Sequence, residues 1–179
     1  MADSASVLTN GRWLPQVAVL AFGTFAVGTD AFVIAGLLPA ISHSLSVSVG
    51  AAGQLVSVFS IAYAVLSPVL AALTGNWSRR TVLVTALLVF AAGNVATAVV
   101  PGYPLVLAAR VLAAAGAAMF TPNAGATAAT IAGDQRRGRA IAVVTVGLTS
   151  SLALGAPLGT AIGNAWGWRA TMWFVTALA

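Results

Sequence analysis

Asp30 and Arg110 are ionisable side chains that interrupt long apolar runs in this chain of 179 residues. Each costs roughly 2.5 to 3.5 kcal/mol on insertion scales if it lies centrally in a bilayer, so each needs a reason to be there. Asp30 precedes Leu38 by eight residues, about 12 Å of helix, and Arg110 follows Pro104 by six, about 9 Å. If Leu38 and Pro104 mark the same membrane face, the two charges lie at nearly matching depth. Desolvation disfavours an ionised carboxylate and a nearby guanidinium favours it, so such a pair is a place where conformation sets proton occupancy. The plain alternative is a static ion pair that fixes helix packing, or two side chains that snorkel to the outer surface.

Two further patterns carry possible chemistry. Ser57, Ser60, Tyr63 and Ser67 fall within a 120° arc at about 100° per residue, which suggests the wall of a water-filled cavity. Serines that hydrogen-bond to their own preceding turn are the competing reading. The run "GLTSSLALGAPLGTAIG" places Gly155, Gly159 and Gly163 at i, i+4, i+8, with Gly147 two turns earlier. Small residues at that spacing let a neighbouring helix approach closely. Pro157 within the stripe removes a backbone hydrogen bond and predicts a kink, so the helix reads as one built to bend or slide.

The elements that must hold these residues are membrane helices. Of the 179 residues 60% are hydrophobic and only 6% charged, against about 25% charged in an average soluble domain. That leaves too little polar surface for a water-exposed globule, and disorder is excluded for the same reason. Five apolar stretches are long enough to cross the hydrocarbon, at Leu14 to Leu38, Gly50 to Thr74, Val82 to Val100, Pro104 to Ala132 and Ala140 to Gly163. A sixth starts near Ala170 and has about 15 Å of helix before Ala179, too little to cross alone. The expected fold is therefore all-α, a polytopic bundle over residues 14–179 behind a tail of residues 1–13, either a fragment or a truncated product.

All eight basic residues are Arg, and the acids number three. Arg12, Arg79, Arg80, Arg136, Arg137 and Arg139 fall on one side of the spans, and His43 and Arg169 on the other. The bias of short loops predicts a cytoplasmic N-terminus in a bacterial inner membrane, with no nucleic-acid footprint. Trp13, Trp77, Trp166 and Trp168 fall at span ends, where interfacial anchors belong. The absence of Cys removes disulfides, thiolate metal sites and thiol nucleophiles. With no Glu and a single His, nothing calls for a metal, a cofactor or an enzyme's catalytic group.

The order of "GTDAFVIAGLLP", "NWSRRTVL", "LAARVLAAAG", "GDQRRGRA", the Gly and Pro run and "WGWR" resembles the N-terminal half of a major facilitator superfamily transporter. The resemblance is to the twelve-span drug:proton antiporter branch, among chloramphenicol-resistance and sugar-efflux types. It implies two three-helix repeats with the substrate path at their interface. It also implies proton-coupled efflux of small amphipathic compounds, drug or sugar-like, with the C-terminal half as partner within the bilayer. Uptake by symport is the runner-up, and a truncated non-transporting membrane fragment the reading from a different class.

By the same resemblance, Arg79 and Arg80 match the basic end of the loop motif G-x-x-x-D-R-x-G-[RK]-[RK], which latches the two halves. Here Ala71, Gly75, Asn76 and Ser78 replace its Gly, Asp, Arg and second Gly. Arg110 matches the Arg of R-x-x-Q-G, implicated in proton coupling, with Ala113 and Ala114 in place of Gln and Gly. Gly147, Gly155, Pro157 and Gly159 resemble the span 5 antiporter motif. Many relatives have a Glu at the position of Ala31, about 100° around the helix from Asp30. On this reading Asp30 carries the proton and Arg110 tunes it.

Overall fold

The computed structural model describes residues 13–179. Residues 1–12 of the expected tail, Arg12 with them, lie outside the described residues, and Trp13 already belongs to the first helix. α1 (Trp13–Leu45), α2 (Val49–Leu73), α3 (Arg79–Val99) and α4 (Tyr103–Ala132) run back and forth with short connections. A single 3₁₀ turn (Asp134–Arg136) leads into α5 (Arg137–Ser150), a π turn (Ser151–Gly155) and α6 (Ala156–Trp166), and Gly167 separates these from α7 (Trp168–Leu178). Five helical segments are long and apolar enough to cross a membrane, with Asp134–Trp166 counting as one.

Local chemistry sets the ends. Ser48 caps α2 by accepting the Ala51 N–H, and Ser78 caps α3 by accepting the Thr81 N–H. Gly102, Gly133 and Gly167 have φ of 81°, 72° and 86°, a region costly for side chains, and each sits where one helix gives way to the next.

Two expectations change here. α1 does not end at Leu38 but continues through Pro39 to Leu45. Its end is made instead by Ser42, whose hydroxyl donates to the Val47 carbonyl, and by Ser46 at φ 54°. The break near Pro157 is also different in kind. Proline has no N–H and its ring crowds the carbonyl four residues back, and the ladder answers by widening one turn earlier, with the Ala156 N–H reaching the Ser151 carbonyl.

α1 packs along α5, the π turn and α6, α3 packs on α4, and α7 lies against α1 and α3. One apolar core gathers around Val17, Phe90, Phe120 and Val175, and a second around Ile34, Ile41, Leu55 and Met172. α2 packs along α4 yet buries only Ala52, Leu55 and Phe59. Trp77, in the connection between α2 and α3, and Trp166, at the end of α6, are exposed. Trp168 is not an anchor. It is 3% exposed, and the Arg169 guanidinium covers its ring at 4.4 Å.

Candidate functional site: a buried ion pair beside an apolar cavity

Asp30 and Arg110 meet. The Arg110 Nη1 donates to both carboxylate oxygens, at 2.8 and 2.9 Å, and the side chains are 0% and 1% exposed. This is the single ion pair among the described residues. The matched depths counted from helix ends do not explain it. With α1 running to Leu45, Asp30 lies about 22 Å from that end and Arg110 about 10 Å from the start of α4. α1 outreaches its neighbour, and the pairing survives because both residues lie on the buried faces of α1 and α4.

The geometry is not the two-pronged fork that guanidinium and carboxylate can form. One nitrogen serves both oxygens, and Arg110 Nε is buried without a partner. A third element completes the surroundings. The Phe59 ring of α2 lies 4.4 Å from the guanidinium carbon, within cation–π range. Phe59 carries no mark in the sequence, since one aromatic in an apolar helix reads as core.

A cavity of about 380 Å³ opens beside the pair, walled by Val27, Gly28, Ala31 and Phe32 of α1 and by Val56, Phe59, Ser60 and Tyr63 of α2. Thr121 of α4 and Leu148 of α5 close it. Ala31 faces this space while Asp30, one residue earlier, turns to Arg110. Of the four polar residues expected on the cavity wall, Ser60 and Tyr63 line it, and Ser57 and Ser67 do not. The strip that α2 presents is narrower than the arc and follows i, i+3, i+4, i+7 from Val56, which leaves Ser57 exposed on another face. Thr121 is an addition from the structure, its hydroxyl buried without a partner.

The glycine stripe lies against α1. A methyl group at Gly147 would strike the Ala21 carbonyl, at Gly155 the Thr29 hydroxyl, at Gly159 the Val33 side chain and at Gly163 that of Leu37. Gly28 returns the contact, facing the Ser151 hydroxyl of the π turn. Pro157 and the π turn thus sit directly behind the stretch of α1 that carries Asp30.

At the far end of the bundle Arg79, Arg80, Arg136, Arg137 and Arg139 gather on one side, as their spacing requires. Arg79 donates to the Ala126 carbonyl of α4 at 3.2 Å. Gly75 offers no carboxylate, so this chain's own contact here is from guanidinium to carbonyl. Asp134 shares a polar recess with Arg79 and Arg137 without pairing to either. Among the described residues no group of His, Asp or Glu could hold a metal ion.

Comparison with known proteins gives a consistent picture. The chain is 42% identical over 163 residues to an uncharacterized transporter of Bacillus subtilis (strain 168), covering 91% of this chain and 42% of that protein. It is 41% identical to a chloramphenicol resistance protein of Streptomyces lividans, covering 88% of this chain and 40% of the relative. A chloramphenicol efflux pump of Mycobacterium tuberculosis (strain ATCC 25618 / H37Rv) is 31% identical, over 97% of this chain and 43% of the pump. The chain therefore spans about two fifths of the length of these relatives. Among solved structures, the proton:xylose symporter XylE bound to 6-bromo-6-deoxy-D-glucose matches with a TM-score of 0.82 at 17% identity, over 94% of this chain and 43% of that one. That likeness establishes the fold. With the family model for the Major Facilitator Superfamily matching residues 20–179, this multi-pass helical chain belongs to that superfamily of membrane transporters.

Proposed function

We propose that the protein carrying this chain is a proton-coupled exporter of small amphipathic compounds, with this chain as its N-terminal bundle and a second bundle supplying the other wall of the substrate path. The observation that carries the reading is the Asp30–Arg110 pair, fully buried beside a mostly apolar cavity with a few hydroxyls. Asp30 is the one buried acidic residue among the described residues; Asp134 is exposed in the 3₁₀ turn that opens the last span. A proton arriving at Asp30 turns an acceptor-only carboxylate into a group with an O–H to donate. It thereby removes the attraction that holds α1 to α4 through Arg110. The pair ties two helices in one protonation state and not in the other, which is what biasing an alternating-access equilibrium requires. Gly147, Gly155, Pro157, Gly159 and Gly163 would let α5 and α6 follow α1.

Export is favoured over uptake by two relatives named for chloramphenicol resistance and efflux and by the Gly and Pro run. The five gathered Arg residues support a cytoplasmic face at that end, in a bacterial inner membrane. Reporter domains fused after Val47 and after Gln135 should lie on opposite sides, with the second cytoplasmic; equal sidedness would sink that orientation.

The test is transport by the full-length protein in inside-out vesicles, with chloramphenicol as probe. Asp30→Asn should abolish accumulation driven by a proton gradient while sparing exchange of labelled for unlabelled probe. Because Asn leaves a buried cation uncompensated, Asp30→Asn combined with Arg110→Gln serves as the folded control. Gradient-driven accumulation by both variants would move the coupling site elsewhere in the protein.

A further inference from the structure

Phe59 is shared between two places that otherwise do not touch. Its ring lies 4.4 Å from the Arg110 guanidinium carbon and also forms part of the cavity wall, while Asp30 and Arg110 do not line the cavity. The side chain is 5% exposed, so it acts as a partition. It is also one of only three buried residues of α2, with Ala52 and Leu55. Where Phe59 sits therefore bears on where α2 sits.

We propose that Phe59 is the positioning residue through which cavity occupancy and the protonation of Asp30 sense each other. The inference rests on the proposed proton-coupled export. The ring's negative face attracts the guanidinium, and this attraction competes with Asp30 for the same cation. With Asp30 ionised, Arg110 is held by both oxygens through Nη1, and the ring caps it. When Asp30 takes a proton, the ring becomes the main remaining attraction on Arg110, and the guanidinium has a free donor in Nε with which to re-form contacts. A compound in the cavity packs on the same ring. Any shift it imposes on Phe59 changes the cation's surroundings, and any change at the cation is felt as a change in the cavity wall. No direct contact between substrate and ion pair is needed, and no charged group has to be exposed to an apolar compound.

Three variants of the full-length protein in proteoliposomes separate coupling from folding, with chloramphenicol as probe and an entrapped pH-sensitive dye following protons. Phe59→Leu keeps an apolar side chain and removes the ring. Phe59→Tyr keeps the ring. Phe59→Ala opens the partition. We expect Phe59→Leu, which also alters the cavity wall, to lower gradient-driven accumulation about tenfold more than it lowers exchange of labelled for unlabelled probe, on the order of one desolvated cation–π contact. Phe59→Tyr should restore accumulation, and Phe59→Ala should let protons cross without the probe. A residue needed only for packing would lower exchange and accumulation together and would not be rescued by Tyr, and that outcome overturns the proposal. Accumulation by Phe59→Leu at the wild-type level overturns it equally. If wild type itself moves no probe against a proton gradient, the proposed function fails and this inference falls with it.

Discussion

The bundle has two glycine seams, and they are tight in different ways. Between α3 and α4, a methyl group at Gly93 would meet the backbone N and Cα of Ala113, and one at Gly116 the backbone of Phe90 and Ala86. Between α1 and the α5, π turn and α6 run, the atoms met at Gly155, Gly159 and Gly163 are side-chain atoms, those of Thr29, Val33 and Leu37, with Thr171 of α7 beside the last two. Backbone cannot yield without moving a helix, whereas a rotamer can. The first seam is the fixed frame, and the second meets side chains that can give by small shifts. Only Gly147, ahead of the π turn, meets backbone on the α1 side, at the Ala21 carbonyl. The π turn thus divides a pinned stretch from an adjustable one at the level of Asp30, and π turns within helices often mark functional positions.

That contrast is broken most directly in the fixed seam. Gly93→Ala and Gly116→Ala should each destabilise the protein by about 3 kcal/mol, the upper end for forcing an extra carbon into a packed interior. Thermal unfolding in detergent and the yield of monodisperse protein would report it. Wild-type midpoints for both variants would show that α3 and α4 can separate at little cost, and the frame would not be a frame.

The adjustable seam should separate stability from transport. Gly159→Ala meets a Val33 methyl at 2.6 Å, which must turn aside, and a cost of about 1 kcal/mol is expected. Gly159→Leu cannot be absorbed by one rotamer. It should insert into the membrane, keep α3 on α4 and lose transport, because α6 is pushed off α1. Normal transport by Gly159→Leu would mean that this stripe does not have to close during the cycle.

Much of this was legible in the sequence, and the reasons for the rest are physical. The spans follow from length and apolarity, and Asp30 with Arg110 follows from elimination, since few charges remain inside the runs. The α1–α6 seam announces itself because its glycines recur every four residues. Gly93 and Gly116 form the tighter seam yet give no such signal, since Gly93 is alone on α3, Gly116 is nine residues from Gly125 on α4, and the proximity of the two exists only after α3 and α4 fold back. Phe59 is invisible for the same reason, its role being a contact between helices far apart in sequence. The extension of α1 past Pro39 was missed because a proline and three serines read as a loop, whereas Ser42 and Ser46 build the helix end seven residues further on. Trp168 was misread because position at a span end does not say which face is buried. Ser57 and Ser67 fall outside this cavity because a 120° arc is wider than the strip a helix turns toward it.

The smallest expected effect sharpens the comparison from outside both seams. Gly53 lies in the interior of α2, and a methyl group added there meets no atom within 4 Å. Alanine in place of glycine within a helix removes backbone freedom from the unfolded chain and adds no clash, so Gly53→Ala should stabilise by about 0.5 to 1 kcal/mol. Transport should be unchanged. α2 is the least buried of the helices long enough to span the membrane, with 11% of its most apolar stretch covered. If its open side at Gly53 faces only lipid or the cavity, the extra methyl is harmless. A drop in the unfolding midpoint would instead mean that another part of the full-length protein closes on α2 at this residue. Gly53 would then belong to a third seam, one that α3, α4 and the α1–α6 contact do not contain.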